Sequence, residues 1–185
     1  MQNYLSGMTE EIKDKAREIR LIITDVDGVL TNGNILVTET GEQLRQYNIK
    51  DGYAIQLAIK KGYQVCVITG AKTEAVRLRL QGLGVQYIYL GASYKMEPFN
   101  DFMAKTGLSK TEMVYVGDDL PDQEIMEQVA IAVAPADAVE EIKSISNYIS
   151  PYSGGSGVAR DIIEKVLKVQ GKWSVEKPDA DDGSL

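Results

Sequence analysis

The sequence predicts an α/β fold: a parallel sheet with helices on both faces and a small β-hairpin insert. Three observations carry this prediction. Short, β-branched apolar runs alternate with segments of helical period. The runs are apolar throughout rather than alternating, as in strands covered on both faces. Several of them end in Asp, Gly or Thr, at the edge where open parallel sheets hold their ligands.

The elements follow in order. "RLIITD" (20–25) reads as the first strand. "NILVTETGEQLRQYNI" (34–49) has two extended runs around "ETGE" and reads as the hairpin, the one break in the rhythm. Residues 51–62 read as a helix with Asp51 as N-cap and Gly62 as its stop. "YQVCVIT" (63–69) is the second strand. Residues 72–84 form a helix with Val76, Leu80 and Leu83 at helical spacing, and 85–91 a third strand. Residues 96–107 form a helix with Pro98 in its first turn, where a missing N–H does no harm. "EMVYVGDD" (112–119) is the fourth strand, 121–129 a short helix and 130–134 the fifth strand. Helices over 137–145 and 157–171 flank a short strand at 147–150. The result is a Rossmann-like domain over residues 1–173, followed by a polar, acidic tail over 174–185 that reads as disordered.

Composition narrows the function. The chain has 185 residues, enough for one domain with a proper core. A net charge of -7 argues against nucleic-acid binding. There is no histidine, which removes Ser-His-Asp and Cys-His catalysis and every His-ligated metal site. The single Cys66 cannot form an internal disulfide and reads as a core thiol. The first nineteen residues lack the apolar core of a signal peptide, and no run is long enough to span a membrane, so a cytoplasmic protein is expected.

Acid–base work therefore falls on carboxylates. Asp25 and Asp27 end the first strand, Thr69-Gly70 the second and Gly117-Asp118-Asp119 the fourth, with Lys95 after the third. Three carboxylates without His form a hard oxygen environment suited to Mg²⁺. Mg²⁺ there offsets their repulsion and polarises a phosphate oxygen. A carboxylate also serves as a nucleophile for a phosphoryl group, and a hydroxyl and an ammonium stabilise its oxygens. Asp119 and Asp122 are equally at home as helix starts.

"DVDGVLTNG", "ITG", Lys95 and "VGDDLPD" together resemble the four motifs of haloacid dehalogenase-like phosphatases. Over about residues 15 to 173, "YNIKDGYAI", "YVGDDLPD" and "GGSGVARDIIEKVLKVQGKW" resemble the 3-deoxy-D-manno-octulosonate 8-phosphate phosphatases. The resemblance implies hydrolysis of that phosphate monoester through an aspartyl-phosphate, feeding lipopolysaccharide precursor synthesis. It implies Asp25 as nucleophile and Mg²⁺ ligand. It implies Asp27 as general acid and then base, with its backbone carbonyl on the metal. Asp118 becomes the third ligand, with Asp119 and Asp122 orienting the metal shell. Thr69 and Lys95 hold the phosphoryl group.

Substrate contacts are implied at Asn48, Ile49, Lys50, Asp51, Gly52, Gln56 and Arg79, although Gln56 and Arg79 suit a solvated helix face equally well. The family lacks a cap domain, and its hairpins associate in a homotetramer so that a neighbour covers each site. The hairpin at 34–49 is the candidate for that role, and "YSGGSG" (152–157) reads as a mobile flap. One position departs from the pattern. Where the family often has Arg after Thr-Gly to meet the sugar's carboxylate, this chain has Ala71, leaving Lys72 or Arg79 to supply the charge. A related group acting on nine-carbon keto-deoxy sugar phosphates shares the following "KTE", so that substrate stays open. A phospho-accepting signalling domain is the alternative from another class, disfavoured by the acid at Asp27 and by the hairpin.

Overall fold

A computed structural model describes residues 5–174, so the predicted tail beyond Ser174 lies outside the described residues. The main sheet comprises β1 (Leu21–Thr24), β4 (Gln64–Ile68), β5 (Tyr87–Tyr89), β6 (Met113–Val116), β7 (Ile131–Ala134) and β8 (Tyr148–Ile149). Its order is β5-β4-β1-β6-β7-β8, with every pairing parallel. Register aligns the strand ends: Thr24 lies opposite both Val67 and Val116. Just past the ends of these strands, Asp25, Thr69 and Gly117 therefore emerge along one rim. The hairpin strands β2 (Leu36–Val37) and β3 (Gln43–Leu44) form a separate antiparallel pair.

The pleat sorts the core into two layers. Ile22, Val65, Val67, Val114, Val116 and Val133 face one side. There they meet α1 (Glu10–Glu18), α2 (Ile49–Lys60), α3 (Glu74–Gly82) and α7 (Val158–Val169). Ile23, Cys66, Ile68, Met113 and Tyr115 face the other side, against Phe99 and Phe102 of α4 (Met96–Thr106), α5 (Gln123–Met126) and α6 (Glu140–Ile145). Cys66 is a buried free thiol among them. Among the described residues, no helix is long and apolar enough to cross a membrane.

Several boundaries differ from the predicted ones. α1 has no predicted counterpart, because it buries only Ile12 and Ala16; Thr9 caps it by accepting from the Ile12 N–H. The helix predicted over 121–129 divides into a 3-10 turn, Leu120–Asp122, and the four-residue α5. α6 starts at Glu140 rather than 137.

The cap of α2 also corrects the prediction. Asn48, not Asp51, is its N-cap, with Oδ1 accepting from the Lys50 N–H at 2.8 Å. Asp51 is buried in the first turn and serves a different helix. Its Oδ1 accepts from the Arg160 N–H at 2.7 Å, and the Gly157 N–H also reaches this carboxylate, so Asp51 caps α7 from outside. Its Oδ2 is buried without a partner. Beyond α7, the guanidinium carbon of Arg160 lies 4.5 Å from the ring centroid of Trp173, a packing contact.

Burial pushes the Asp51 carboxyl up to about 6, from an ordinary value of 3.8. Below about pH 4 both folded and unfolded chains hold the proton. Between about pH 4 and 6 only the folded chain holds it, so stability from this group falls as pH rises, by roughly 2–3 kcal/mol. We expect urea unfolding to show Asp51→Asn gaining about 2 kcal/mol relative to the unaltered protein between pH 4.5 and 7.5. A difference that stays constant with pH would remove Asp51 as the source.

Candidate active site

The carboxyl rim of the sheet gathers a cavity of about 420 Å³ lined by Asp25, Asp27, Gly28, Thr69, Ala71, Lys95, Asp118 and Asp119, among others. Asp25 follows β1 directly, and its Oδ1 accepts from the Val26 N–H at 2.6 Å. Lys95 opens α4 and is 4% exposed; its Nζ donates to Asp25 Oδ2 at 2.5 Å and to Asp122 Oδ1 at 2.6 Å. Thr69 is buried at the end of β4, where its Oγ1 accepts from the Ala71 N–H at 3.2 Å.

Asp122 is more than a helix start. It is fully buried, and it binds Lys95, the Tyr115 hydroxyl at 2.6 Å and the Asp118 N–H at 3.2 Å. It thereby joins the lysine to the loop after β6. Asp119 has the simpler place: its side chain caps the Leu120 N–H at 2.8 Å.

Carboxylate oxygens of Asp25, Asp118 and Asp122 all lie within 4.8 Å of one another. Burial, then the neighbouring Asp25 and Asp122, push Asp118 up to about 7. Burial and Asp122 likewise raise Asp25 against the pull of Lys95. Burial works to lower Lys95, but the facing Asp25 and Asp122 outweigh it and hold the ammonium above its ordinary value. One buried cation among three acids leaves the cluster short of positive charge. The all-oxygen donor set and this deficit fit a hard divalent cation. Asp122 is already occupied by Lys95 and Tyr115. Asp25 and Asp118 are thus the carboxylates with lone pairs to spare.

Gly28 makes the closeness possible. Its φ is +82°, and a Cβ there would lie 1.9 Å from Asp118 Oδ2. Its bare Cα therefore admits Asp118 as well as the turn. The predicted flap is likewise held by close contact. A Cβ at Gly154 would lie 2.1 Å from the Gly28 carbonyl oxygen. The Gly155 N–H donates to Val29 O at 2.9 Å, and the Gly154 N–H donates to Asp137 Oδ1 at 2.9 Å. In this structure 152–157 is a loop packed on the turn after β1.

Asp27 stands apart from the acid cluster. Its carboxylate accepts two hydrogen bonds from Arg45, from Nε at 2.6 Å and Nη2 at 3.0 Å. Arg45 follows the hairpin and was not among the expected site residues. Its sequence signal was faint, a single cation after β3.

Of the remaining expected residues, only Ala71 lines the acidic cavity. Asn48 caps α2 and donates from Nδ2 to Gly155 O at 3.3 Å. Ile49 and Gln56 are exposed on α2. Lys50 lines a different cavity, beside Arg160 and Ser156. Asp51 caps α7. Gly52 gives room to Arg79, whose Nη2 would meet a Cβ there at 2.8 Å. Arg79 itself lies 5.8 Å from the Tyr47 ring centroid, away from the acids. Ala71 does line the cavity and offers it only a methyl group.

Known proteins agree with this architecture. Haloacid dehalogenase-like hydrolases match residues 88–162. The 3-deoxy-D-manno-octulosonate 8-phosphate phosphatase of Escherichia coli K12 is 38% identical over 170 residues, covering 92% of this chain and 90% of that protein. The crystal structure of the Yersinia pestis phosphatase of that name superposes with a TM-score of 0.86 at 34% identity, covering 88% of each chain. The Moraxella catarrhalis phosphatase, solved with a magnesium ion, a phosphate ion and a KDO molecule, gives a TM-score of 0.86 at 30% identity. That alignment covers 89% of this chain and 95% of that one.

Gly28→Ala places a methyl group on Asp118 and strains a positive φ. We expect Mg²⁺ affinity, read by calorimetry, to fall at least tenfold, with roughly 1 kcal/mol or more of lost stability. Unchanged affinity would show that Asp118 does not depend on this approach.

Proposed function

The chain belongs to the 3-deoxy-D-manno-octulosonate 8-phosphate phosphatases, and we propose that it hydrolyses that phosphate ester to the free sugar acid and inorganic phosphate. The observation that carries the chemistry is the convergence of Asp25, Asp118, Asp122 and Lys95 at one sheet rim.

Asp25, Asp118 and the backbone carbonyl of Asp27 would hold Mg²⁺, which when bound supplies charge neutralisation and polarises the phosphate oxygens. An Asp25 carboxylate oxygen attacks phosphorus, and the bond from phosphorus to the sugar oxygen breaks. Asp27 donates a proton to that leaving oxygen. Water then attacks the phosphoryl group while Asp27 takes its proton, and the bond to Asp25 breaks to release phosphate. Lys95 Nζ and the Thr69 hydroxyl face the phosphoryl oxygens. Lys95 also keeps Asp25 in place between attacks, and Asp122 keeps Lys95 in place.

The proposed assembly is a cytoplasmic homotetramer joined through the hairpins. Supporting it, Leu36 and Val37 are 66% and 62% exposed at the hairpin, next to exposed Ile35 and Leu44. A two-stranded ribbon with this much bare apolar surface is poorly stable alone. Released sugar acid would feed lipopolysaccharide precursor synthesis.

Two measurements test this function. Purified protein with Mg²⁺ should release phosphate from 3-deoxy-D-manno-octulosonate 8-phosphate, EDTA should stop it, and Asp25→Asn should lower kcat by at least about 10³-fold. Retention of most activity by Asp25→Asn would sink the nucleophile assignment. Light scattering should give four chains per particle, and Leu36→Ser with Val37→Ser should shift the particle toward the monomer and reduce activity with it. An unaltered protein that is active as a monomer would rule out a shared site.

A further inference from the structure

The chain lacks the cation expected beside the sugar's carboxylate, because position 71 is alanine. Neither expected substitute fills the gap. Lys72 is exposed and lays its stem toward Gly91, where a Cβ would meet its Cγ at 3.5 Å. Arg79 packs against Gly52 and Tyr47. Lys95 is held by Asp25 and Asp122.

Arg45 is placed differently. Its half-buried side chain is anchored by hydrogen bonds. The edge formed by Nε and Nη2 is bound to Asp27. The other edge, Nη1 with the second N–H of Nη2, is nearly free. Nη1 makes two contacts, to Thr73 Oγ1 at 3.4 Å and to the Gln43 carbonyl at 3.5 Å, both near the outer limit of hydrogen bonding. Thr73 is two residues from Ala71, so this edge reaches the neighbourhood that position 71 leaves uncharged.

Arg45 also joins two cavities. Its partner Asp27 lines the acidic one. Arg45 itself lines a second, of about 400 Å³, with Asn32, Asn34, Leu36, Leu44 and Gln46. The two share the turn at Gly33: Gly33 faces the first, and its neighbours Asn32 and Asn34 face the second. Three amide side chains and the guanidinium line it beside Leu36 and Leu44.

We propose that Arg45 is a specificity-determining residue for this reaction: its Nη1–Nη2 edge receives the carboxylate of the sugar acid, in place of the cation that Ala71 lacks. The Nε–Nη2 edge keeps Asp27 throughout, so one guanidinium spaces the acid from the substrate's carboxylate. A planar fork with two usable edges does this where an ammonium does not. This inference rests on reading the substrate as a phosphorylated sugar acid.

The test is a ratio. Arg45→Met and Arg45→Lys are each assayed on 3-deoxy-D-manno-octulosonate 8-phosphate and on a phosphorylated aldose, which has no carboxylate. Both substrates lose rate through Asp27, and the ratio of the two kcat/KM values removes that shared loss. We expect the ratio to fall roughly 10- to 100-fold for Arg45→Met and less for Arg45→Lys, the loss of one charge-assisted contact. An unchanged ratio overturns the proposal. Should Arg45→Met not fold, Arg45→Lys still reports the ratio. The unaltered protein gives a further reading, because the free sugar acid should inhibit at least tenfold better than its methyl ester. Equal inhibition overturns carboxylate recognition. Failure of the unaltered protein to hydrolyse the eight-carbon substrate at all is a separate result. It removes the functional reading, and the ratio is then measured on a nine-carbon keto-acid phosphate.

Discussion

Three carboxylates at the rim of one sheet, with a single buried ammonium among them, set the terms for the rest of this molecule. At separations of 4.8 Å or less, each charged pair repels by roughly 3 kcal/mol or more at an effective dielectric near 20. Lys95 balances one of the three. The remaining imbalance is relieved by a proton, which the raised Asp25 and Asp118 carboxyls hold more readily, or by a divalent cation. The arrangement is therefore held by the surrounding fold, and holding it falls to groups that never touch a substrate. Tyr115 reaches through the core to Asp122, and Asp122 in turn fixes both Lys95 and the amide of Asp118.

That constraint explains why glycines stand where the loops of the site meet. The turn after β1 approaches Asp118 so closely that no side chain fits at Gly28. Gly117 is equally hemmed in, by Asp122 Cβ at 2.5 Å from the position of its own missing Cβ. The glycine loop at 152–157 then seals the far side of the same turn through Gly154 and Gly155. Each glycine removes bulk where two loops meet, so the acids come together without distorting the strands that carry them.

The sheet was legible because its strands are buried on both faces and interrupted by helices of ordinary length. Asp25, Thr69, Lys95 and Asp118 were legible for a related reason. Parallel strands in register end together, so chemically loaded residues just past each strand meet at one rim. What could not be read depends on contacts between distant segments. Asp51 looks like a local helix cap in sequence, and only the packing of α2 on α7 turns it toward Arg160. Arg45 looks like a solvated charge after a hairpin, and only the fold of that hairpin over the β1 turn brings it to Asp27. Asn48 to Gly52 and Arg79 carry no local mark of where they point, and in the single chain none of them lines the acidic cavity. Short helices were overread for a different reason: Pro121 and the tight turn after β6 leave too few residues for more than one turn at α5.

The contact between Arg160 and Trp173 has a spectroscopic consequence. Trp173 is the sole tryptophan of the sequence, so its emission is a one-site signal without background from other indoles. The cation above its ring belongs to the first turn of α7, whose N-terminus Asp51 caps and whose preceding glycines pack on the turn after β1. The fluorophore thus lies outside the acidic cavity yet is joined through Arg160 to the helix that follows the loop backing the acids. A change in its intensity reports how α7 begins, and so gives an optical record of the loop that no label has to be added to obtain.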